Sequence, residues 1–215
     1  DLLGSGLWQD LPNGDAFDMQ TALFQPVGGM GRIGEAFGRE LNPLIRYNSK
    51  VTGIHQDDTG VTVTFKDSRT AGNQQTLRAD WCLCTIPLPV LAQIPMNVGQ
   101  SLASAISAVP YASAIKVGLQ FKRRFWEEDE HIFGGITYTD LPIMNIGYPN
   151  TGFQSGGKGV LLGAYMWGMN AMQFTAMTPQ ERVQKVVDYG SQIHPQYHKE
   201  FDNGVAVAWH RSPFT

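Results

Sequence analysis

Gly29-Met30-Gly31-Arg32-Ile33-Gly34 is the most informative short stretch of this sequence. It has the spacing G-x-G-x-x-G, it follows an apolar segment predicted as a strand (residues 23–27), and it opens a predicted helix. The helix is predicted because Ile33, Phe37 and Leu41 recur with the 3.6-residue period and share one face. A strand, a glycine-rich turn and a helix in this order are typical of a loop that binds a dinucleotide, with the helix N-terminus facing the pyrophosphate.

The residues alone leave two interpretations of the glycine stretch open, dinucleotide binding and a purely structural turn. A complete dinucleotide-binding βαβ unit carries an acidic residue about 20 positions further on, at the end of its second strand. Asp57 falls near that position, but it belongs to a predicted hairpin turn (residues 57–60), and a hairpin replaces the parallel return of a βαβ unit. The other interpretation is structural: the glycines only permit a tight turn and a close approach of the helix.

The rest of the chain reads as a mixture of strands and helices. Helices are expected at residues 101–109 and after the capping box Thr178-Pro179-Gln180-Glu181, as far as about residue 193. The fold class is therefore mixed α/β (α+β), passing from one sheet to another near residue 94. Strands are predicted at residues 44–47, 51–55, 61–65, a strand pair ending in 81–86, 115–121, 132–137, 143–148, 160–166 and 205–209.

Composition and charge exclude several classes of partner. The 215 residues include 16 basic and 19 acidic side chains, a net charge of −3, so we expect neither nucleic-acid nor anionic-membrane binding. Cys82 and Cys84 lie two positions apart on a predicted strand, so they face opposite sides and are predicted to be buried structural thiols. His194 and His198 have the i, i+4 spacing of two neighbours on a helix, but Pro195 lies between them and opposes a helix there. No metal site is therefore predicted.

Five segments, in this order, carry a resemblance to a known family. The segment around the glycines resembles the Gly-Gly-Met segment of flavin-containing amine oxidases, above all the L-amino-acid oxidases. In that family the segment is a second crossing of the cofactor domain, not the N-terminal dinucleotide fingerprint. The matching segments are residues 24–33, 48–54, 81–87, 114–121 with Phe125-Trp126, and 162–168.

The resemblance implies a cofactor and the residues that bind it. The cofactor is FAD, and the implied architecture is a two-domain FAD-dependent amine oxidase fold with a substrate domain built on a mixed β-sheet. Gly28, Gly29 and Met30 bring backbone close to the flavin, the backbone of Val51 meets the adenine, and Pro87 ends a strand beside the cofactor. Glycine suits such a close approach because it has no Cβ.

The resemblance also implies catalytic and substrate-binding residues. Lys116 takes the place of the lysine that holds a water against flavin N5, and Tyr165 takes that of the tyrosine that binds the substrate carboxylate. Trp167 and Phe174 are candidates for the side-chain pocket. Without the resemblance, Lys116 would be a lysine that snorkels from an apolar strand, and Tyr165 and Trp167 would be core aromatics.

The implied reaction is the oxidative deamination of an L-amino acid to a 2-oxo acid, ammonia and hydrogen peroxide. The alternatives are an amine or polyamine oxidase, an amino-acid monooxygenase, or a non-catalytic chain that keeps the scaffold. Residues 1–26 and 95–203 are assigned to the substrate domain, 27–94 to the FAD domain and 204–215 to the return. We expect this chain to be the middle of a processed oxidase or a fragment, with other chains completing the FAD site. The expected small-molecule partners are an L-amino acid and dioxygen, and the protein is expected to form an oligomer.

Overall fold

The computed structural model of the chain describes residues 25–70 and 72–212. They form two compact units that meet in the sequence between Pro110 and Tyr111. Residues 25–110 are called the first unit here and residues 111–212 the second unit, and each is described by itself. Residues 1–24 lie outside the described residues. They include most of the predicted substrate-domain segment 1–26 and the start of the first predicted strand.

The first unit contains one small antiparallel sheet with helices before and after it in the chain. Its three strands lie in the order β1-β2-β3, and an isolated parallel bridge joins Ile54 of the first strand to Met96. In chain order the elements are α1 (Gly31–Leu41), a 3₁₀ turn (Asn42–Leu44), β1 (Ser49–Asp57), β2 (Gly60–Asp67), β3 (Gln75–Ala79), α2 (Leu88–Leu91) and α3 (Gln100–Ala108).

The hairpin between β1 and β2 confirms the predicted turn and settles the role of Asp57. Asp57 pairs with Gly60, and its carboxylate accepts hydrogen bonds from the backbone N–H of Thr59 (2.8 Å) and from both terminal nitrogens of Arg78 on β3. These hydrogen bonds, Arg78 first, hold the pKa of the Asp57 carboxyl well below its ordinary range. Asp57 therefore stabilises the sheet, and the described residues of the first unit contain no βαβ unit in which it would bind a ribose.

Two strands predicted for the first unit are wrong. Residues 44–47 do not pair, because Pro43 lies in a 3₁₀ turn in which the N–H of Ile45 donates to the carbonyl oxygen of Asn42. Residues 81–86 have no neighbouring strand among the described residues, so they form no ladder. Cys82 and Cys84 are both exposed, which also corrects the prediction of buried thiols.

The second unit is built on a larger antiparallel sheet. Its strands lie in the order β5-β6-β7-β4-β8, so β4 is paired on both sides, with β7 and with β8. The elements are β4 (Ala114–Phe121), α4 (Phe125–Glu128), β5 (Ile136–Tyr138), β6 (Asn145–Gly147), β7 (Gly159–Trp167), α5 (Gly168–Thr175), α6 (Pro179–Gly190), α7 (Tyr197–Glu200), β8 (Phe201–Ala208) and a 3₁₀ turn (Trp209–Arg211). The predicted mixed α/β (α+β) class is confirmed.

The core of the second unit lies on one face of this sheet only. Alternate residues of β4 are fully buried there, as the period of a strand with one covered face requires. Helix α6 packs on this face through Val186 and Val187, and it begins at the predicted capping box, in which the Thr178 hydroxyl accepts from the Glu181 N–H (3.2 Å). The fully buried side chains include Ile115, Val117, Leu119, Phe121, Phe125, Trp126, Leu161, Met166 and Tyr197.

The boundary between the two units can be compared with the predicted domain boundaries, although it does not test which segment belongs to which domain. It falls between Pro110 and Tyr111, later than the crossing predicted near residue 94. The end of the described chain stays with the second unit, because β8 pairs with β4 along its whole length. Assignment of these segments to an FAD domain and a substrate domain stays a prediction. No helix in the described part of the chain is long and apolar enough to cross a membrane.

Candidate active site

Lys116, Tyr165 and Trp167 form a row on the face of the sheet opposite the core. Lys116 and Tyr165 are directly opposite each other in the β4–β7 ladder. The Nζ atom of Lys116 lies 4.3 Å from the centroid of the Tyr165 ring, and the Tyr165 and Trp167 rings are 3.8 Å apart between centroids, tilted by 41°. Lys116 was predicted from one segment, and the two aromatic residues from another, 49 and 51 positions further along the chain. The structure brings the three side chains together.

The environment of this row differs from that of a core. Lys116 and Tyr165 are half-buried, and Trp167 is 38% exposed. Ion pairs within the described residues do not include Lys116, so its charge is stabilised by the aromatic face and by solvent. The interpretation of Tyr165 and Trp167 as core aromatics is therefore not supported. Phe174, in contrast, is 2% exposed and packs in the core, away from this row.

A bulge in β7 makes the row possible. The β4–β7 register shifts between Val117 and Gly118, which leaves Gly163 without a partner on β4. A Cβ at Gly163 would lie 2.6 Å from Cδ1 of Leu119, so the bulge closes tightly against the core. Beyond it, the alternation of β7 changes phase and Tyr165 lies on the open face. A glycine inside a strand was the sequence signal for this bulge, and sequence reasoning missed it.

The turn around Trp167 uses two residues that sequence reasoning also missed. The backbone N–H of Trp167 donates to Sδ of Met144 (3.3 Å), and the N–H of Gly168 donates to the carbonyl oxygen of Ser113 (3.0 Å). Gly168 has φ +55°, a left-handed conformation that starts α5 immediately after the strand. Trp167 is therefore held at a defined strand end, although neither Met144 nor Ser113 belongs to a recognisable motif.

The predicted cofactor-binding glycines form an open turn in the first unit. Gly28 and Gly29 have φ values of +92° and +94°, and the N–H of Gly29 donates to the carbonyl oxygen of Pro26 (3.0 Å). A Cβ at Gly29 would meet no described atom within 4 Å. Met30 is exposed and precedes α1, whose N-terminus has no side-chain cap. A Cβ at Gly28 would lie 2.8 Å from Nε of Arg32, so the turn is open at Gly29 and covered at Gly28 by the Arg32 side chain. A helix start without a side-chain cap leaves backbone N–H groups available to an anionic group of a cofactor.

Val51 and Pro87 lie elsewhere in the first unit. Val51 is half-buried on β1, the edge strand, upstream of the point where Ile54 donates its N–H to the carbonyl oxygen of Pro95 (3.0 Å). At Val51 itself, no described residue covers the outer edge of β1, so its backbone is open to a ligand. Pro87 is half-buried and directly precedes α2. The described contacts do not join Val51, Pro87 and the glycine turn to one another.

The hydrogen-bonded side chains around His194 belong to the core of the second unit. The Tyr148 hydroxyl lies 2.5 Å from Nε2 of His194 and 2.9 Å from the Thr137 hydroxyl. Burial lowers the pKa of His194 and raises that of Tyr148, so both are neutral at neutral pH. This chain of hydrogen bonds satisfies buried polar atoms. The described residues contain no group of three or more His, Cys, Asp or Glu side chains that could hold a metal ion.

Comparisons with known proteins identify the family of the chain. Residues 9–215 match the family of flavin-containing amine oxidoreductases. The L-amino-acid oxidase of Siganus canaliculatus is 33% identical over 88% of this chain and 36% of its own length. The L-amino acid oxidase Lm29 of Lachesis muta is 31% identical over 86% of this chain and 36% of its own length. The chain thus spans little more than a third of these two relatives.

Solved structures show the same fold at lower identity. Cyclohexylamine oxidase from Brevibacterium oxydans IH-35A superposes with a TM-score of 0.70 at 17% identity, over 86% of this chain and 40% of that one. A triple mutant of putrescine oxidase gives a TM-score of 0.73 at 14% identity, over 87% of this chain and 40% of that one. These likenesses show the fold, and the match over residues 9–215 shows that the chain belongs to the flavin-containing amine oxidoreductase family, whose cofactor is FAD.

Proposed function

We propose that this chain supplies part of the active site of an oxidase that deaminates an L-amino acid. In the overall reaction the amino acid, dioxygen and water yield a 2-oxo acid, ammonia and hydrogen peroxide. The observation that carries the proposal is the row of Lys116, Tyr165 and Trp167 on the open face of the sheet. Relatives named L-amino-acid oxidase, at 31–33% identity, support the choice of substrate class.

Lys116 is the catalytic residue of this proposal. The chemistry that FAD supplies when bound is the two-electron oxidation of the amine carbon, with dioxygen as the final acceptor. The ammonium of Lys116 has three N–H donors and shares no ion pair with a described residue, so it can order a water molecule at the oxidation site. The Tyr165 ring, 4.3 Å from Nζ, restrains the direction of the side chain.

Tyr165 and Trp167 bind and orient the substrate. The Tyr165 hydroxyl donates a hydrogen bond to the substrate carboxylate, and a hydrogen bond to a charged acceptor is stronger than one between neutral groups. Trp167 supplies an apolar wall that excludes water and strengthens the few polar contacts to the amino acid. Positioning the Cα–H bond in this way lowers the entropic cost of reaching the transition state.

The first unit holds the cofactor in this proposal. Gly28 and Gly29 let backbone approach the flavin dinucleotide because no Cβ intervenes, and Met30 leads into the uncapped start of α1. Val51 offers the free backbone of an edge strand to the adenine. Pro87 has no N–H to satisfy, so it can end its segment against the cofactor without leaving a donor unpaired.

Other segments of the same oxidase complete the site in this proposal. Phe65 and Leu91 are the only buried apolar side chains among the described residues of the first unit. The apolar face of α1 is exposed, with Ile33 at 44%, Phe37 at 62% and Leu41 at 41%. Apolar surface of this extent on a folded unit is typical of an interface.

An amine oxidase is the second candidate, because two aromatic rings 3.8 Å apart also form a surface that attracts a cationic amine. The carboxylate separates the two candidates. We expect Tyr165→Phe, in the complete FAD-loaded protein, to raise KM for the preferred amino acid by about tenfold to a hundredfold, the value of a hydrogen bond to a charged group. KM for the amine that lacks only the carboxylate should not change. Initial rates of peroxide formation give both constants.

Tyr189→Phe is the matched control, since Tyr189 is also half-buried and lies near a lysine, with Nζ of Lys185 5.9 Å from its ring centroid. It should leave both constants unchanged. A faster reaction of the wild type with the amine than with any amino acid would favour the second candidate. Equal effects of Tyr165→Phe on both substrates would contradict the role of Tyr165 in carboxylate binding.

A further inference from the structure

An open depression of about 570 Å³ lies in the second unit between the turn joining α5 to α6 and the end of β8. Its lining combines Arg182, Arg211, the turn residues 175–179 and the strand residues 206–208. Its volume is in the range of small-molecule sites. The roles proposed above for Lys116, Tyr165 and Trp167 do not use it.

Arg182 is the buried arginine of this depression. It is 5% exposed, its Nε donates to the carbonyl oxygen of Phe174 (2.7 Å), and its Nη2 donates to that of Thr175 (3.0 Å). These bonds satisfy carbonyls at the end of α5, and they fix the guanidinium in one position. A guanidinium has five N–H donors, so donors remain for a ligand.

Arg211 brings a second positive charge to the same place. Its Nη1 lies 3.4 Å from the carbonyl oxygen of Thr175, the atom that Arg182 also contacts, so the two guanidinium groups are neighbours. Burial lowers the pKa of Arg182, and the charge of Arg211 lowers it further. Carboxylates of the described residues form no ion pair with either arginine. Among the described residues the partners of these two cations are the carbonyl oxygens of Phe174 and Thr175, so an anion placed between the guanidinium groups would relieve their mutual repulsion.

The N-terminus of α6, which borders the depression, does not account for the site. Its capping box is complete, since the Thr178 hydroxyl accepts from the Glu181 N–H and the Glu181 carboxylate accepts from the Thr178 N–H (2.7 Å). Glu181 is therefore already engaged and does not neutralise Arg182. The attraction for an anion comes from the two arginines.

We propose that this depression binds a small organic oxyanion, a carboxylate or a phosphate ester, between Arg182 and Arg211. The planar fork of arginine matches both kinds of oxyanion. Met177 and Ala206 line the same space and offer apolar contacts to the carbon part of the ligand, whereas the hydroxyls of Thr175 and Thr178 already bond within the protein. This inference does not rest on the proposed oxidase activity.

The test is calorimetric titration of the complete FAD-loaded protein with inorganic phosphate and with succinate. We expect saturable binding of at least one probe to the wild type. The affinity of Arg211→Ala for the same probe should be lower by about tenfold or more. Arg211 is exposed, so its loss should not disturb folding. Arg182→Lys keeps the charge but not the fork, and it should also weaken binding. Succinate and phosphate arms distinguish a carboxylate from a phosphate ligand.

Two controls locate the binding. Lys185→Ala removes one exposed positive charge from α6 outside the depression and should leave the affinity unchanged. Tyr165→Phe separates the depression from the substrate row, since a loss of succinate affinity in this variant but not in Arg211→Ala would place the carboxylate at the row and overturn the proposal. Absence of saturable binding to the wild type would overturn the proposal. This includes the case in which a carboxylate from another segment of the protein fills the site, so that Arg211→Ala lowers the melting temperature without changing any binding. Equal affinities of Arg211→Ala and Lys185→Ala would overturn it as well.

Discussion

At the scale of the residue, Lys116 combines a charge with a rigid surrounding. Its neighbours in β4, Ile115 and Val117, are fully buried, so the backbone that carries the lysine cannot shift easily. The side chain itself leaves the core and lies over an aromatic ring. A lysine held in this way delivers its ammonium to one place without the cost of burying it.

If Lys116 has the proposed role, Lys116→Met slows reoxidation of the reduced flavin by dioxygen by about tenfold to a hundredfold, because the water that the proposal assigns to the ammonium is lost. Stopped-flow absorbance of the complete protein measures this step separately from reduction by the substrate. Lys185→Met, which removes the lysine beside Tyr189, should have no effect. An unchanged reoxidation rate in Lys116→Met would show that Lys116 has no catalytic role.

The residue scale is also where prediction from sequence was most useful and where it stopped. The resemblance to the amine oxidase family pointed to Lys116, Tyr165 and Trp167 without any structure, whereas the residue types alone did not. Their mutual contact could not be predicted, because it depends on strand register, and a shift of one residue would move Tyr165 to the other face.

At the scale of the element, the bulge at Gly163 sets the phase of β7. Before the bulge the odd-numbered residues face the core, and after it Ala164 and Met166 do. If Gly163 took a regular, paired position instead, the alternation would continue unchanged, and Tyr165 would point into the core and Met166 toward the open face. The bulge therefore makes one strand serve both the core and the candidate site.

Gly163→Ala should lower the free energy of unfolding by about 1–3 kcal/mol, because the added Cβ would lie 2.6 Å from Leu119 Cδ1 and 3.1 Å from Val186 Cγ1. Urea denaturation followed by circular dichroism measures the change. Gly118→Ala is the control: Gly118 lies beside the bulge on β4, and its added Cβ would meet only Val205 Cγ1, at 3.6 Å. Similar stabilities of the two variants would show that the bulge is not tightly packed.

Elements with strong local signals were predicted well. The capping box located the start of α6, and alternation located β2 and β4, because these patterns act within a few residues. The segment 81–86 was predicted as a strand from its apolar run and is not one. A strand needs a neighbour to pair with, and that neighbour cannot be read from the segment itself.

At the scale of the whole molecule, the two units differ in how completely each buries its apolar residues. The second unit has a continuous core, whereas the first has two buried apolar side chains among its described residues and an apolar helix face in the open. A unit with so little burial is marginal by itself. This contrast supports the proposal that further segments of the oxidase cover the first unit.

We therefore expect the 215-residue chain, expressed alone, to bind less than one equivalent of FAD and to bind a hydrophobic dye. Flavin absorbance and anilinonaphthalene sulfonate fluorescence measure the two properties. Phe37→Asp should lower the dye signal because it breaks the exposed apolar face of α1, whereas Gln180→Asp, at an exposed polar position of the second unit, should not. A stoichiometric yellow complex with little dye binding would contradict the expectation.

The alternation of β4 has an evolutionary consequence. Its odd-numbered residues from Ile115 to Phe121 are all fully buried, and its even-numbered residues lie on the face of the candidate site. Selection for folding and selection for chemistry therefore act on different residues of the same eight-residue strand. Substitutions at the even positions of β4 other than Lys116 can therefore alter the candidate site without opening the core, whereas substitutions at the odd positions must be accommodated by the helices packed against them.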